Sequence, residues 1–147
     1  MIQLIEIDPD KEYEPNLSSA PEFENLMAIY RDYYPLIGYQ IPWVGYFILM
    51  DGQLVGSCGF TGAPQSGSVE IAYWTFTAYE GRGIATSACA NLITIAWEEQ
   101  PQLVIRAKTA PEKNASTRIL EKRGFRFTGV VQDHEIGDAW EWQLLPK

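Results

Sequence analysis

Residues 70–100 read EIAYWTFTAYEGRGIATSACANLITIAWEEQ. The first third of this stretch is β-branched and aromatic with one charge, Glu70, which predicts a largely buried strand. A glycine-rich corner follows at residues 80–83. Apolar residues then recur with the 3.6-residue period of a helix packed on one face, at Ile84, Ala85, Ala88, Cys89, Leu92, Ile93 and Ala96. The stretch therefore predicts a strand that turns sharply into a helix.

The corner between this strand and helix predicts an anion site. The first N–H groups of a helix have no partner within it, and the helix dipole adds roughly half a positive charge there. Gly81 and Gly83 allow a ligand to approach the main chain without a Cβ in the way. A plain tight turn would explain the two glycines equally well, so the corner alone leaves both interpretations open.

Two common nucleotide motifs do not fit the corner. The P-loop pattern G-x-x-x-x-G-K-[ST] is absent, because Gly83 is followed by Ile84. The dinucleotide fingerprint G-x-G-x-x-G fails too, since Thr86 stands at its last glycine. A nucleotide-binding regulator is therefore disfavoured.

The residues on both sides of the corner resemble a known family. EIAYWTFTAYEGRGIAT, followed by NASTRILEKRGF, resembles the GNAT superfamily of acyl-CoA-dependent N-acetyltransferases, and most of all its branch of ribosomal-protein N-terminal acetyltransferases. Gly83 and Ala85 match the last two fixed places of the family's diphosphate loop, Q/R-x-x-G-x-G/A. Glu80 stands where the family prefers Gln or Arg, so it must turn away from a diphosphate or tolerate repulsion.

The family's second motif, N-x-x-S-x-x-x-L-x-K-x-G-F, is matched at Ser116, Leu120, Lys122, Gly124 and Phe125. Its asparagine place holds Lys113, and Asn114 comes one residue late. The two motifs extend from Glu70 to Phe125, and the N-terminal part resembles the family only in its pattern of elements.

Periodicity along the chain predicts an α+β domain, or α/β in the looser sense. We expect about seven strands and three or four helices in one domain spanning residues 1–147, mostly antiparallel with one parallel step, in agreement with the GNAT fold. Predicted strands beside the central one cover residues 2–7, 43–50, 53–60, 103–108, 125–131 and 139–145. Residues 8–20 are expected as loop with one short turn. One predicted helix begins at Pro21 and ends before Pro35. Another runs from Pro111 to Arg123, with Gly124 as its cap.

Composition sets the broad class. The chain has 147 residues, enough to bury one core, and its net charge of −8 argues against a nucleic-acid partner. Cys58 and Cys89 suggest buried thiols in a reducing compartment rather than a disulfide framework. No apolar run approaches the ~18 residues that span a bilayer, so we expect no membrane partner and a cytoplasmic location. His134 lies in a polar loop, and the sequence predicts no metal site.

The resemblance implies acetyl transfer from acetyl-CoA to a primary amine by direct attack in a ternary complex. Glu70 is the candidate base, with proton removal through ordered water as the alternative. Leu120 stands where many members of the family carry a tyrosine that acts as the general acid. Ser116 is therefore the candidate proton donor. The alternative is that its hydroxyl only makes a hydrogen bond to the helix backbone. A backbone N–H between Ala72 and Trp74 should serve the oxyanion, where the family has a strand bulge.

The same resemblance predicts the cofactor contacts, which are Ala72, Tyr73, Trp74, Gly81, Arg82, Gly83, Ile84, Ala85, Thr86 and Asn114. Arg82 could pair with a phosphate or remain a solvated loop arginine, and the two aromatic residues fit a core equally well. The acceptor is left open between a small-molecule amine and a protein N-terminus. The edge made by the last strands could support a homodimer. A non-catalytic acyl-CoA-binding module is the alternative function, supported by Glu80, Leu120 and the displaced asparagine.

Overall fold

The computed structural model describes residues 2–147, in which seven strands and four α-helices are found. The strands are β1 (Ile2–Glu6), β2 (Gly45–Met50), β3 (Gln53–Phe60), β4 (Ser68–Thr75), β5 (Val104–Thr109), β6 (Arg126–Asp133) and β7 (Gly137–Leu144). The helices are α1 (Pro15–Ser18), α2 (Phe23–Ile37), α3 (Ile84–Glu99) and α4 (Ala115–Lys122), and a single 3₁₀ turn covers Thr77–Tyr79.

The strands form one mixed sheet in the order β1-β2-β3-β4-β5-β7-β6. Every neighbouring pair is antiparallel except β4 and β5, which run parallel. A parallel pair needs a crossover connection, and α3 supplies it. The predicted α+β class and its single parallel step are confirmed.

Two hydrophobic clusters cover the two faces of the sheet. Alternate residues of β2 point to opposite faces, so Phe47 joins one cluster and Ile48 the other. The cluster of Phe47 lies against α1 and α2, which contribute Leu17, Phe23, Leu26 and Met27. The cluster of Ile48 lies against α3 and α4, which contribute Ile84, Ala88, Cys89, Leu92, Ala96 and Leu120. Five of the seven positions that predicted the α3 stripe are buried.

The predicted hairpin between β2 and β3 is confirmed. Asp51 and Gly52 both have positive φ angles, 51° and 80°. This is the backbone of a two-residue turn whose twist matches that of the two strands.

The predicted boundaries of α2 were wrong at both ends. The helix begins at Phe23 rather than Pro21, and it runs through Pro35 to Ile37. Pro35 lies in the last turn, where its missing N–H removes only one helical hydrogen bond. Tyr34 anchors this turn, because its hydroxyl donates to the Ile7 carbonyl at 2.7 Å and accepts from the Gly45 N–H at 3.0 Å. Tertiary contacts therefore outweigh the local preference of proline.

The third predicted helix also begins later than expected, at Ala115 instead of Pro111. Asn114 and Thr117 form a capping box there, which fixes the first turn. Gly124, with φ 91°, follows the helix as predicted. No helix within residues 2–147 combines the length and hydropathy that a membrane crossing requires.

Candidate active site

The glycine corner connects β4 to α3 through two left-handed residues. Gly81 has φ 81°, and Gly83, the N-cap of α3, has φ 76°. A Cβ built at either glycine would meet no atom within 4 Å. The backbone conformation therefore demands glycine at both positions, and the space beside the main chain is open to a ligand.

The N-terminus of α3 is uncapped within the described part of the chain. Gly83 has no side chain to cap the helix, and its first turn contains no acidic residue. The first helical hydrogen bond runs from the Ser87 N–H to the Gly83 carbonyl at 3.0 Å. The N–H groups of Ile84, Ala85 and Thr86 precede this bond, so they remain available to an anion.

β4 and β5 separate at the middle of β4. Their parallel ladder ends at the pair Ile71 and Ala107, whereas β4 stays paired with β3 as far as Thr75. The β3–β4 register is constant, so the predicted bulge does not occur along this ladder. Beyond Ile71, β5 diverges from β4 and leaves a gap between the two strands. The edge of β4 that faces this gap is unpaired as far as Thr75.

The hydrogen-bond direction of β4 shows which amides face this gap. The Thr61 N–H bonds the Glu70 carbonyl and the Phe76 N–H bonds the Val55 carbonyl, both at 3.0 Å. Even-numbered residues of β4 therefore point their backbone groups toward β3, since bonding direction alternates along an antiparallel strand. Tyr73 and Thr75 point theirs toward the gap. Within the predicted range of residues 72–74, the N–H of Tyr73 is the one directed there.

The corner and the gap open into one cleft of about 470 Å³. This volume lies in the range of small-molecule sites. The cleft is lined by Tyr73, Trp74, Thr75, Tyr79, Glu80, Gly81, Gly83, Ile84, Ala85, Thr86, Ala115, Ser116, Arg118, Ile119 and Lys122. Most of the predicted cofactor contacts and Ser116 therefore come together, whereas Glu70, Ala72, Arg82 and Asn114 do not line the cleft.

Two cations in the cleft were missed by the sequence analysis. Arg118 and Lys122 lie four residues apart on α4, and both line the cleft together with the corner. Residues at this spacing share one face of a helix. That spacing was visible in the sequence, but only the packing of α4 shows that this face meets the corner. Cationic side chains there complement a phosphate-bearing ligand.

Glu70 lies in an ion-pair cluster. Its Oε1 is 3.5 Å from Arg106 Nη1 and 3.7 Å from Lys108 Nζ, and its side chain is 16% exposed. Glu141 and Asp133 extend the cluster through the same two cations. Val69 and Ile71 on either side of Glu70 are buried with α3, so Glu70 projects from the opposite face of the sheet.

Ser116 lies in the first turn of α4 and lines the cleft. Its backbone carbonyl accepts a hydrogen bond from the Tyr73 hydroxyl at 3.4 Å. Burial raises the pKa of Tyr73, so this phenol keeps its proton at neutral pH. β4 and α4 thus meet at the cleft through two hydroxyl-bearing residues.

Asn114 has a structural role in the described fold. Its Oδ1 accepts from the Thr117 N–H at 3.2 Å, and Thr117 Oγ1 accepts from the Asn114 N–H at 3.0 Å. Arg82 is exposed and lies over the ring of Tyr79, 5.4 Å from its centroid. Cofactor contacts by these two residues stay predictions. Glu80 is exposed in the cleft wall, so solvent can screen its charge from a phosphate.

The chain matches known acetyltransferases. Residues 3–126 match the model of the Acetyltransferase (GNAT) domain family. The putative ribosomal N-acetyltransferase YdaF of Bacillus subtilis (strain 168) is 34% identical over 87 residues, which is 58% of this chain and 48% of that protein. The uncharacterized N-acetyltransferase p20 of Bacillus licheniformis is 31% identical over 101 residues, 65% of this chain and 57% of that protein. The chain thus spans about half the length of these curated relatives.

Solved structures share the fold. A probable acetyltransferase superposes with a TM-score of 0.72 at 23% identity, covering 98% of this chain and 92% of the other. RimL, described as a ribosomal L7/L12 alpha-N-protein acetyltransferase in complex with coenzyme A, gives 0.69 at 17% identity and covers 84% and 73%. At such identities the likeness concerns the fold alone, but the family model spans most of the sequence. The chain therefore belongs to the GNAT acetyltransferase family.

Proposed function

We propose that this protein transfers an acetyl group from acetyl-CoA to a primary amine by direct attack in a ternary complex. The proposal rests on one observation: the uncapped N-terminus of α3 and the open edge of β4 lie in the same cleft. The helix N-terminus suits a diphosphate, and the strand edge suits an extended arm that carries amide groups. Arg118 and Lys122 add positive charge on the opposite wall.

In this proposal the reaction forms a C–N bond and breaks a C–S bond. The Tyr73 N–H, which faces the gap, donates to the carbonyl oxygen as negative charge develops on it. Ser116 passes a proton to the departing thiolate and takes one back from water, so that coenzyme A leaves as the thiol. The proton lost by the amine passes to Glu70, directly or through water.

The burial of both thiols favours direct attack over a route through an acyl-cysteine intermediate. Cys58 is 3% exposed and Cys89 is fully buried. Burial raises the pKa of Cys58 and raises the pKa of Cys89 to about 11. A thiol becomes a nucleophile as thiolate, so neither side chain is suited to accept the acetyl group.

The position of Glu70 bears on the acceptor. Its carboxylate is paired with Arg106 and Lys108 on the face of the sheet opposite α3, and it does not line the cleft. Such a site suits an amine that loses its proton easily. At pH 7.5 roughly a quarter to two fifths of an α-amine is neutral, against about one in a thousand for a lysine amine. We therefore propose a protein or peptide N-terminus as the acceptor, in keeping with the description of RimL as an alpha-N-protein acetyltransferase.

A thiol-release assay with acetyl-CoA, run against N-terminally free peptides, their N-blocked lysine counterparts and small amines, tests this proposal. We expect turnover with the free peptides and none with the N-blocked ones. Binding of coenzyme A without turnover on any amine would instead favour a non-catalytic acyl-CoA-binding module.

The same assay tests Glu70. For Glu70→Gln we expect kcat/KM to fall by about 100-fold near pH 7, at the lower end of general-base effects, because Glu70 does not line the cleft. The loss should shrink above pH 8, where the α-amine is neutral without help. An unchanged kcat/KM across this pH range would assign proton removal to water.

Ser116 is tested separately. In Ser116→Ala we expect kcat to fall by about 10-fold, because the leaving thiolate then lacks its proton donor. A loss of kcat under about 3-fold would reject this role and leave Ser116 as an ordinary first-turn residue. Unchanged affinity for coenzyme A would separate a catalytic loss from a binding loss.

A further inference from the structure

One buried hydroxyl beside the cleft has no partner within the protein. Among the side chains of residues 2–147, Thr75 Oγ1 is the one buried nitrogen or oxygen atom that makes no hydrogen bond. Thr75 is the last residue of β4, and it lines the cleft. Buried polar atoms in proteins are nearly always paired, so an exception at a ligand cleft points to a partner that the ligand provides.

The side of β4 that faces α3 changes its chemistry along the strand. Val69 and Ile71 are buried and apolar, whereas the next two residues on this side, Tyr73 and Thr75, carry hydroxyls. The change occurs where the ladder with β5 ends, after Ile71. Valine has the shape of threonine and would avoid an unpaired buried hydroxyl. Packing alone therefore does not account for the hydroxyl at position 75.

We propose that Thr75 Oγ1 donates a hydrogen bond to an amide oxygen on the pantetheine arm of coenzyme A. This inference rests on the proposed function. The phosphates already have donors in the first-turn N–H groups of α3, in Arg118 and in Lys122. Thr75 instead lies on the open edge of β4, next to the gap that suits an extended amide chain.

The side chain can reach this partner. Thr75 as a whole is only part-buried and borders the cleft, although its Oγ1 is buried. A rotation of about 120° about Cα–Cβ carries Oγ1 to the staggered position that the methyl group holds. In this proposal the rotation accompanies binding and turns the hydroxyl toward the cleft, where a ligand oxygen accepts from it.

Thr75→Val removes the hydroxyl and keeps the shape. We expect its dissociation constant for coenzyme A, measured by calorimetry, to rise by about 3–10-fold, the usual effect of one hydrogen bond. Without ligand, its Tm should not fall, because the hydroxyl that it removes makes no hydrogen bond within the protein. Adenosine 3′,5′-bisphosphate, which lacks the arm, should bind both proteins within about twofold.

Thr109→Val is the matched control at the end of the neighbouring strand. Thr109 is also buried, but its hydroxyl accepts from Trp142 Nε1 at 3.0 Å and donates to the Ala110 carbonyl at 3.1 Å. Removing this paired hydroxyl should lower Tm by about 2–5 °C and leave the affinity for coenzyme A unchanged. Of the two variants, only Thr109→Val should therefore lower Tm.

Three results would overturn the inference. They are an unchanged affinity of Thr75→Val for coenzyme A, a lowered Tm of that variant without ligand, and an equal loss of affinity for the bisphosphate. If the unsubstituted protein binds coenzyme A and any of these occurs, only the assignment of Thr75 fails. If the unsubstituted protein does not bind coenzyme A, the proposed function fails and this inference with it.

Discussion

The N-termini of α3 and α4 border the same cleft, but only that of α4 is capped by side chains. At α4, Asn114 and Thr117 satisfy each other's backbone N–H groups through a capping box. At α3, the N-cap is Gly83, which has no side chain, and the first turn has no acid. An asparagine cap stabilises a helix by about a few tenths of a kcal/mol more than a glycine cap does.

This difference in capping indicates that the ligand anion binds at the N-terminus of α3. Leaving α3 uncapped forgoes stability that α4 obtains, at a place where the main chain is open and no side chain crowds it. The same N–H groups that a cap would occupy are the donors that a diphosphate needs. α4 instead contributes side chains, Arg118 and Lys122, and keeps its own N-terminus closed.

The largest effect should come from giving α3 an acidic first turn. In Ala85→Asp the carboxylate occupies the space of the ligand anion, and we expect calorimetry to show about 100-fold weaker binding of coenzyme A, since like charges at contact repel by several kcal/mol in a partly buried site. The Tm without ligand should rise by about 1–3 °C, because an acid in the first turn complements the helix dipole.

Ala85→Asn is the control, since it has the same shape without the charge. Its affinity should fall much less than that of Ala85→Asp. If the two variants bind coenzyme A equally, charge at the N-terminus of α3 does not govern binding. The uncapped N-terminus of α3 is then not the anion site.

A smaller effect is expected on the α4 side. The double variant Arg118→Gln, Lys122→Gln should bind coenzyme A about 10-fold more weakly, because two exposed cations each contribute modestly to a phosphate. Titration at rising salt should narrow this difference, as screening weakens both contacts. Arg126→Gln, at an exposed site that does not line the cleft, should bind like the unsubstituted protein.

The smallest effect on binding is expected at the closed N-terminus. Asn114→Ala should lower Tm by about 2–4 °C, since it removes the cap, and should change the affinity for coenzyme A by less than about twofold. Asn114→Asp, which keeps a capping oxygen, should restore Tm. A large loss of affinity at normal Tm would instead place Asn114 in the cofactor site, as the family resemblance predicted.

Much of the fold could be predicted because its signals are local. The 3.6-residue period fixed α3, alternation fixed the strands, and Asp51-Gly52 fixed a hairpin. The corner was predictable as well, since Gly81 and Gly83 need positive φ angles. Pro35 misled the prediction of α2, because its local signal was outweighed by the tertiary anchoring of Tyr34.

The contents of the site were less predictable, because they depend on residues distant in sequence. Glu70 looked like a solitary carboxylate, yet β5 brings Arg106 and Lys108 beside it. Arg118 is unremarkable in the sequence until α4 packs opposite the corner. No local pattern signals such contacts.

The sequence by itself determined the order of strand, corner and helix, the left-handed glycines and the family, because these depend on neighbouring residues and backbone sterics. Only the tertiary structure decided that β5 leaves β4 after Ile71, that the Tyr73 amide faces the gap, and that Thr75 lacks a partner. These features depend on where separate elements come to rest against a common core, and that is a balance of packing over the whole chain.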